Sequence, residues 1–133
     1  KSDPSDLSRV NLNDSKDVII NKIKKAKTDD KSMPEDNKNL NQRPEIENLL
    51  GIYSSLADQK IEKTINEFSG KNFSEFKTKL SEMVVEKISP ISTEINKLQE
   101  DKEFIDKILR DGSERANEIA SKKVNELKKI VGF

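Results

Sequence analysis

Any chemistry in this chain has to be done with lysine, arginine and carboxylates. The sequence carries 25 basic and 25 acidic side chains but no His and no Cys, which removes the ordinary zinc ligand sets, the Ser-His-Asp triad and the thiol nucleophile. Four scattered glycines, Gly51, Gly70, Gly112 and Gly132, form no phosphate-cradling loop. Positive charge set against phosphate, or carboxylates against a cation, are what remain. The acidic run Asp29, Asp30 and Asp36 lacks the fixed ligand spacing and glycine turn of a cation loop and reads as solvated. Lys22, Lys24, Lys25 and Lys27 form one polar helix face, Lys71 and Lys77 flank a helix start, and Arg115, Lys122, Lys123, Lys128 and Lys129 leave the last predicted helix on its polar side. Each reads either as a solvated face or as a phosphate contact.

The elements that must position these groups are helices. Apolar residues recur at spacings of three and four, and strand-type alternation never persists. The first helix is predicted over about Lys16 to Lys27, capped by Asp14 or Ser15, with Val18, Ile19, Ile23 and Ala26 on its apolar stripe. Residues 28–43 are polar enough to read as a mobile loop. Pro44 opens the next helix from the favoured first position, followed by Ile46, Leu49, Leu50, Tyr53 and Leu56. A shorter helix carries Ile61, Ile65 and Phe68 and stops near Gly70.

Asn72 with Glu75 predicts a capped start for the longest helix, whose face runs through Phe73, Phe76, Leu80, Met83, Val84 and Ile88 until Pro90 kinks or ends it. Phe104, Ile105, Ile108 and Leu109 define another helix, closed at Gly112 in a left-handed conformation. Ser113 then caps a last one, with Ala116, Ile119, Ala120, Val124, Leu127 and Val131 as its packing face. The expectation is an all-α fold, a compact bundle of about six helices. Residues 1–13 have only Leu7, Val10 and Leu12 to bury and are expected to fray or borrow a neighbour's surface.

The length suits one domain. Charge balance argues against an acidic or basic tail, and a neutral total is unlike the concentrated positive charge of most nucleic-acid surfaces. No apolar window is long enough to span a membrane and no signal peptide is present, so the expected location is cytoplasmic. The absence of Met before Lys1 is read as a cut inside a longer protein.

An ordered series of short matches covers essentially the whole chain: Lys1-Ser2-Asp3-Pro4; Lys22-Ile23-Lys24 with Ala26, Thr28 and Asp29; Asn48-Leu49-Leu50 with Ile52-Tyr53-Ser54; Gly70-Lys71 with Phe76-Lys77; Pro90-Ile91; Asp111-Gly112 with Glu114-Arg115-Ala116 and Ala120; and Gly132-Phe133. In order and approximate spacing this series resembles the C-terminal part of the bacterial tryptophanyl-tRNA synthetases. Asp58 stands where glycine is common, Asn72-Phe73 replaces a frequent Gly-Tyr pair, and Glu45 follows Pro44 where Gly is usual. Those departures concern local turns.

The resemblance implies that Lys1 and Ser2 are the last two residues of the KMSKS signature, with Lys1 facing the ATP phosphates and Ser2 giving a loop hydrogen bond. It implies that the Rossmann-type catalytic domain lies outside this sequence, and with it the HIGH motif, the tryptophan pocket and most of the ATP site. Residues 1–13 would be the tail of the signature loop and a connector, and 14–133 the helical domain that receives the anticodon arm. Arg115, Lys122, Lys123, Lys71 and Lys77 are the candidate contacts to the tRNA for tryptophan. L-tryptophan and ATP with Mg2+ would bind through the other domain, with nothing bound to this segment alone, and the full-length enzyme would be a homodimer without membrane attachment. The alternative is a helical protein-interaction module with no role in translation, which a different upstream sequence would reveal.

Overall fold

A computed structural model describes residues 4–132 of the chain. Five α-helices follow one another, α1 (Lys16–Lys25), α2 (Pro44–Leu56), α3 (Ile61–Phe68), α4 (Phe73–Glu100) and α5 (Lys102–Val131), with short 3-10 turns at Asp6–Ser8 and Leu40–Gln42. No strand occurs among the described residues. The all-α expectation holds, with five helices in place of about six.

The local signals act where the residues put them. Ser15 caps α1 by accepting from the Val18 amide, and Asp17 in the first turn with Lys24 and Lys25 in the last complements the helix dipole. Pro44 starts α2 and is followed by Glu45 and Glu47. Asn72 Oδ1 accepts from the Glu75 amide at 2.8 Å, and α4 begins there. Asp58, in the turn after α2, takes φ +50°, a left-handed conformation that Asp tolerates better than most side chains.

The chain divides into two compact units, the first ending at Thr93 and the second starting at Glu94. The first is built around aromatic side chains from three helices. Phe68 meets Tyr53 and Phe76 edge-on at 4.9 Å between centroids, the geometry that ring quadrupoles favour. Ile19 of α1, Ile46 and Leu50 of α2, Ile65 of α3 and Leu80 of α4 complete this core. Ser54 and Thr64, both buried, satisfy each other at 2.8 Å, so the α2–α3 contact carries no orphan hydroxyl at that point.

Residues 28–43 depart from the mobile loop predicted. Met33 and Leu40 are buried in the core, and the Arg43 guanidinium grips Asp29 with two bonds of 2.6 and 2.7 Å while donating to the Ser32 carbonyl. Two apolar anchors and one bidentate ion pair fold a polar segment that average composition describes as unstructured. Asp29 is thereby committed to Arg43. No cluster of three acidic side chains suited to a metal ion occurs among the described residues.

Two predicted breaks are absent. Pro90 lies inside α4, which runs through to Glu100; the ring removes one backbone donor but leaves the remaining ladder to carry the helix on. Gly112 lies inside α5 and does not take positive φ, so the two helices expected on either side of it are one helix of 30 residues. A single glycine costs a helix only about 1 kcal/mol relative to alanine, which neighbouring helix formers outweigh. α5 ends instead at Gly132, φ +85°, whose amide bonds back to the Lys128 carbonyl.

The second unit holds the last turns of α4 and α5. Asp101 caps α5 by accepting from the Phe104 amide at 3.0 Å. The stripe through Ile119, Val124, Leu127 and Val131, predicted as a packing face, is exposed, and no residue of α5 is buried. Among the described residues no second layer covers this side of α5.

Candidate functional site

Lys1 and Ser2 lie outside the described residues. The segment that continues from them is held by a charged cluster that sequence periodicity does not reveal. Lys22 projects from α1 and its ammonium contacts Asp6 and Asp14, each at 2.7 Å. Asn11 completes the cluster, its amide donating to Asp14 Oδ2 at 2.8 Å and its side-chain nitrogen to Asp6 Oδ1 at 3.1 Å. Further along, Ser92 Oγ of α4 donates to the Leu12 carbonyl at 2.5 Å.

Electrostatics follow this geometry. Hydrogen bonds from Lys22, then Asn11, hold the Asp6 carboxyl below its ordinary range. Burial pushes Asp14 upward, but bonds from Lys22 and Asn11 together outweigh it and leave its pKa lowered. The two carboxylates, Asp14 first, raise the Lys22 ammonium against the effect of burial. The lysine is only 4% exposed, which corrects its reading as part of a solvated face. Its position next to Ile23 and three residues after Ile19 was the available signal, because both isoleucines are core.

Beside this cluster an apolar groove of about 400 Å³ runs between residues 7–10 and helices α1, α2 and α4, with Leu7, Val10, Ile52, Leu56, Val84 and Ile88 on its walls.

The predicted basic residues fall into two sets, one in each unit. Lys71 stands 5.1 Å from the Phe68 ring centroid and 3.5 Å from Glu75. Lys77 donates to the carbonyls of Ala26 at 2.6 Å and Lys24 at 3.3 Å, closing the C-terminus of α1. In the second unit Lys122 pairs with Glu118 at 3.0 Å and Lys123 with Glu126 at 2.8 Å. These pairs are exposed, so each contributes about 0–1 kcal/mol and yields readily to another anion. From Glu118 to Gly132 the sequence has four lysines, Lys122, Lys123, Lys128 and Lys129, and two acids, Glu118 and Glu126. Arg115 lies upstream on the same exposed helix.

Residues 1–89 match the family model of tRNA synthetases class I (W and Y). The chain belongs to that family. Among curated proteins, the chain is 50% identical over all of its 133 residues to the tryptophan–tRNA ligase of Rhizobium meliloti (strain 1021), covering 38% of that protein. It is 49% identical over its full length to the enzyme of Agrobacterium fabrum (strain C58 / ATCC 33970), again 38% of that protein, and 47% identical to that of Rickettsia prowazekii (strain Madrid E), covering 40%. The chain thus spans about two fifths of the length of the curated relatives it matches. A helical interaction module unrelated to translation is set aside by the family match. No helix of the described residues is long and apolar enough to cross a membrane.

Proposed function

We propose that this synthetase segment is the C-terminal part of a tryptophan–tRNA ligase, which activates L-tryptophan with ATP and transfers it to its tRNA in the cytoplasm. The observation that carries the reading is the 50% identity with a tryptophan–tRNA ligase in an alignment that spans all 133 residues of the chain.

Residues 1–13 serve as the tail of the phosphate-facing loop and a connector, and 14–133 as the helical domain for the anticodon arm. Lys1 contributes positive charge at the ATP phosphates while the amino acid carboxylate attacks the α-phosphate, and Ser2 a hydrogen bond within the loop. Such a contribution is positioning and electrostatics, with no side-chain nucleophile required. This suits a chain without His or Cys. In the full-length homodimer Mg2+ would accompany ATP as its counter-ion.

For tRNA, phosphate contact falls to Lys71, Arg115, Lys122 and Lys123, whose charges are exposed or loosely paired. Lys77 is already bound to two carbonyls, which makes it the least available of the five candidates.

The full-length protein is expected to catalyse tryptophan-dependent ATP–pyrophosphate exchange, and the isolated chain to catalyse none. Binding of the chain to the tryptophan tRNA and to an anticodon-altered tRNA, across a salt series, tests the second half of the reading. Preference for the correct anticodon supports an autonomous recognition domain; equal, salt-sensitive binding of both removes specificity from these residues.

A further inference from the structure

The segment 4–13 is too poor in apolar surface to hold its own place. Leu7 is 48% exposed and Leu12 52%, so burial offsets little of the entropy lost when these residues are ordered. Polar pins do that work. One ammonium, on Lys22, holds both Asp6, at the head of the segment, and Asp14, at its foot. Asn11 bridges the same two carboxylates, with its side-chain nitrogen 3.1 Å from Asp6 and 3.4 Å from Asp14. Ser92 fixes the backbone between them through the Leu12 carbonyl. A buried ammonium is tolerated there because carboxylates neutralise it, and Asp14, its side chain 11% exposed against 59% for Asp6, is the inner partner of the two.

The position of Asp6 limits the reach of the loop. Ser2 lies four positions before Asp6 in sequence, an extended span of roughly 14 Å at most. Where Lys22 holds Asp6 therefore bounds where Lys1 and Ser2 can go.

We propose that Lys22 is a positioning residue for the phosphate-facing loop: by clamping Asp6 and Asp14 onto α1 it sets the point from which Lys1 and Ser2 reach the ATP phosphates. The proposal rests on the synthetase reading above. Lys22 touches neither substrate nor reacting atoms; it acts through the backbone of residues 4–13.

The test uses the full-length enzyme with three substitutions, Asp6→Asn, Lys22→Met and Lys22→Arg, each followed by tryptophan-dependent ATP–pyrophosphate exchange and a thermal unfolding midpoint. Asp6 is an exposed side chain, so Asp6→Asn keeps the Lys22–Asp14 pair and the wild-type midpoint. It is expected to lower kcat about tenfold with the KM for tryptophan within about twofold of wild type, the signature of a misplaced group remote from the amino acid pocket. Lys22→Met lowers kcat further, and Lys22→Arg recovers most of the loss because a guanidinium fork can bond both carboxylates. Exchange by Asp6→Asn within twofold of wild type overturns the proposal, as does a fall in kcat that tracks a lowered midpoint. If Lys22→Met fails to fold, Asp6→Asn decides alone. A wild-type enzyme without tryptophan-dependent exchange overturns the synthetase reading instead.

Discussion

The Nζ of Lys77 lies 2.6 Å from the carbonyl oxygen of Ala26, joining α4 to the end of α1 across 51 positions of sequence. The last carbonyls of a helix have no partner within it, and an ammonium from another helix satisfies them and complements the negative end of the dipole. Burial holds the Lys77 pKa below its ordinary value. Lys77→Met should destabilise the first unit by about 1.5–3 kcal/mol, the range for a hydrogen bond with a charged partner. Urea unfolding followed by far-UV circular dichroism measures it, and a midpoint equal to wild type would show that the carbonyls are as well served by water.

Tyr53 is the single tyrosine of a chain without tryptophan, so its ionisation can be followed by absorbance without interference. Burial, then the hydrogen bond to Glu67 at 2.9 Å, pushes its pKa up to about 12. The folded state therefore holds the phenolic proton more tightly than the unfolded chain. Its contribution is complete below the unfolded value of about 10 and is lost as pH rises through the folded one. A titration midpoint near 10 in the folded protein would contradict the burial described.

Asp29 supplies the acid-side counterpart. The Arg43 guanidinium beside it, with a further amide bond from Lys31, holds its carboxyl below the usual range despite burial. A depressed carboxylate contributes stability that is present above the unfolded pKa of about 3.9 and disappears as pH falls through the folded value. Asp29→Asn should be less stable than wild type near neutrality, with the gap closing below pH of about 4. Thermal midpoints measured at several pH values check this; a gap that persists in acid would assign the loss to packing of Met33 and Leu40 rather than to charge.

Gly112 and Gly132 should respond oppositely to alanine. A Cβ at Gly112 meets nothing within 4 Å in the interior of α5, so Gly112→Ala should raise the stability of that helix by up to about 1 kcal/mol. Gly132 has equally open space but φ of +85°, so Gly132→Ala should strain the cap by about 1 kcal/mol or more, as is usual for a side chain forced into the left-handed region. Helicity of the full chain during thermal melting distinguishes the two. A lower midpoint for Gly112→Ala would instead mean that Gly112 takes the left-handed conformation predicted from the sequence.

Local patterns in the sequence were enough to specify the helical class, the starts of α1, α2 and α4, and most of the core, because capping side chains and three-and-four apolar spacing act within one helix. The resemblance to the synthetases was carried in the same way, by residues in order along the chain. Tertiary structure decided what depends on a partner distant in sequence. Lys22 looked like its solvated neighbours until Asp6 and Asp14 were brought to it, and residues 28–43 looked mobile until Asp29 met Arg43 across 14 positions. Pro90 and Gly112 are breakers by local propensity alone, yet both were absorbed, since the penalty at one position is smaller than the cooperative gain of the turns on either side. The stripe on α5 shows the converse limit. Periodicity identifies a face capable of burial, but burial needs a second surface, and among the described residues none covers α5.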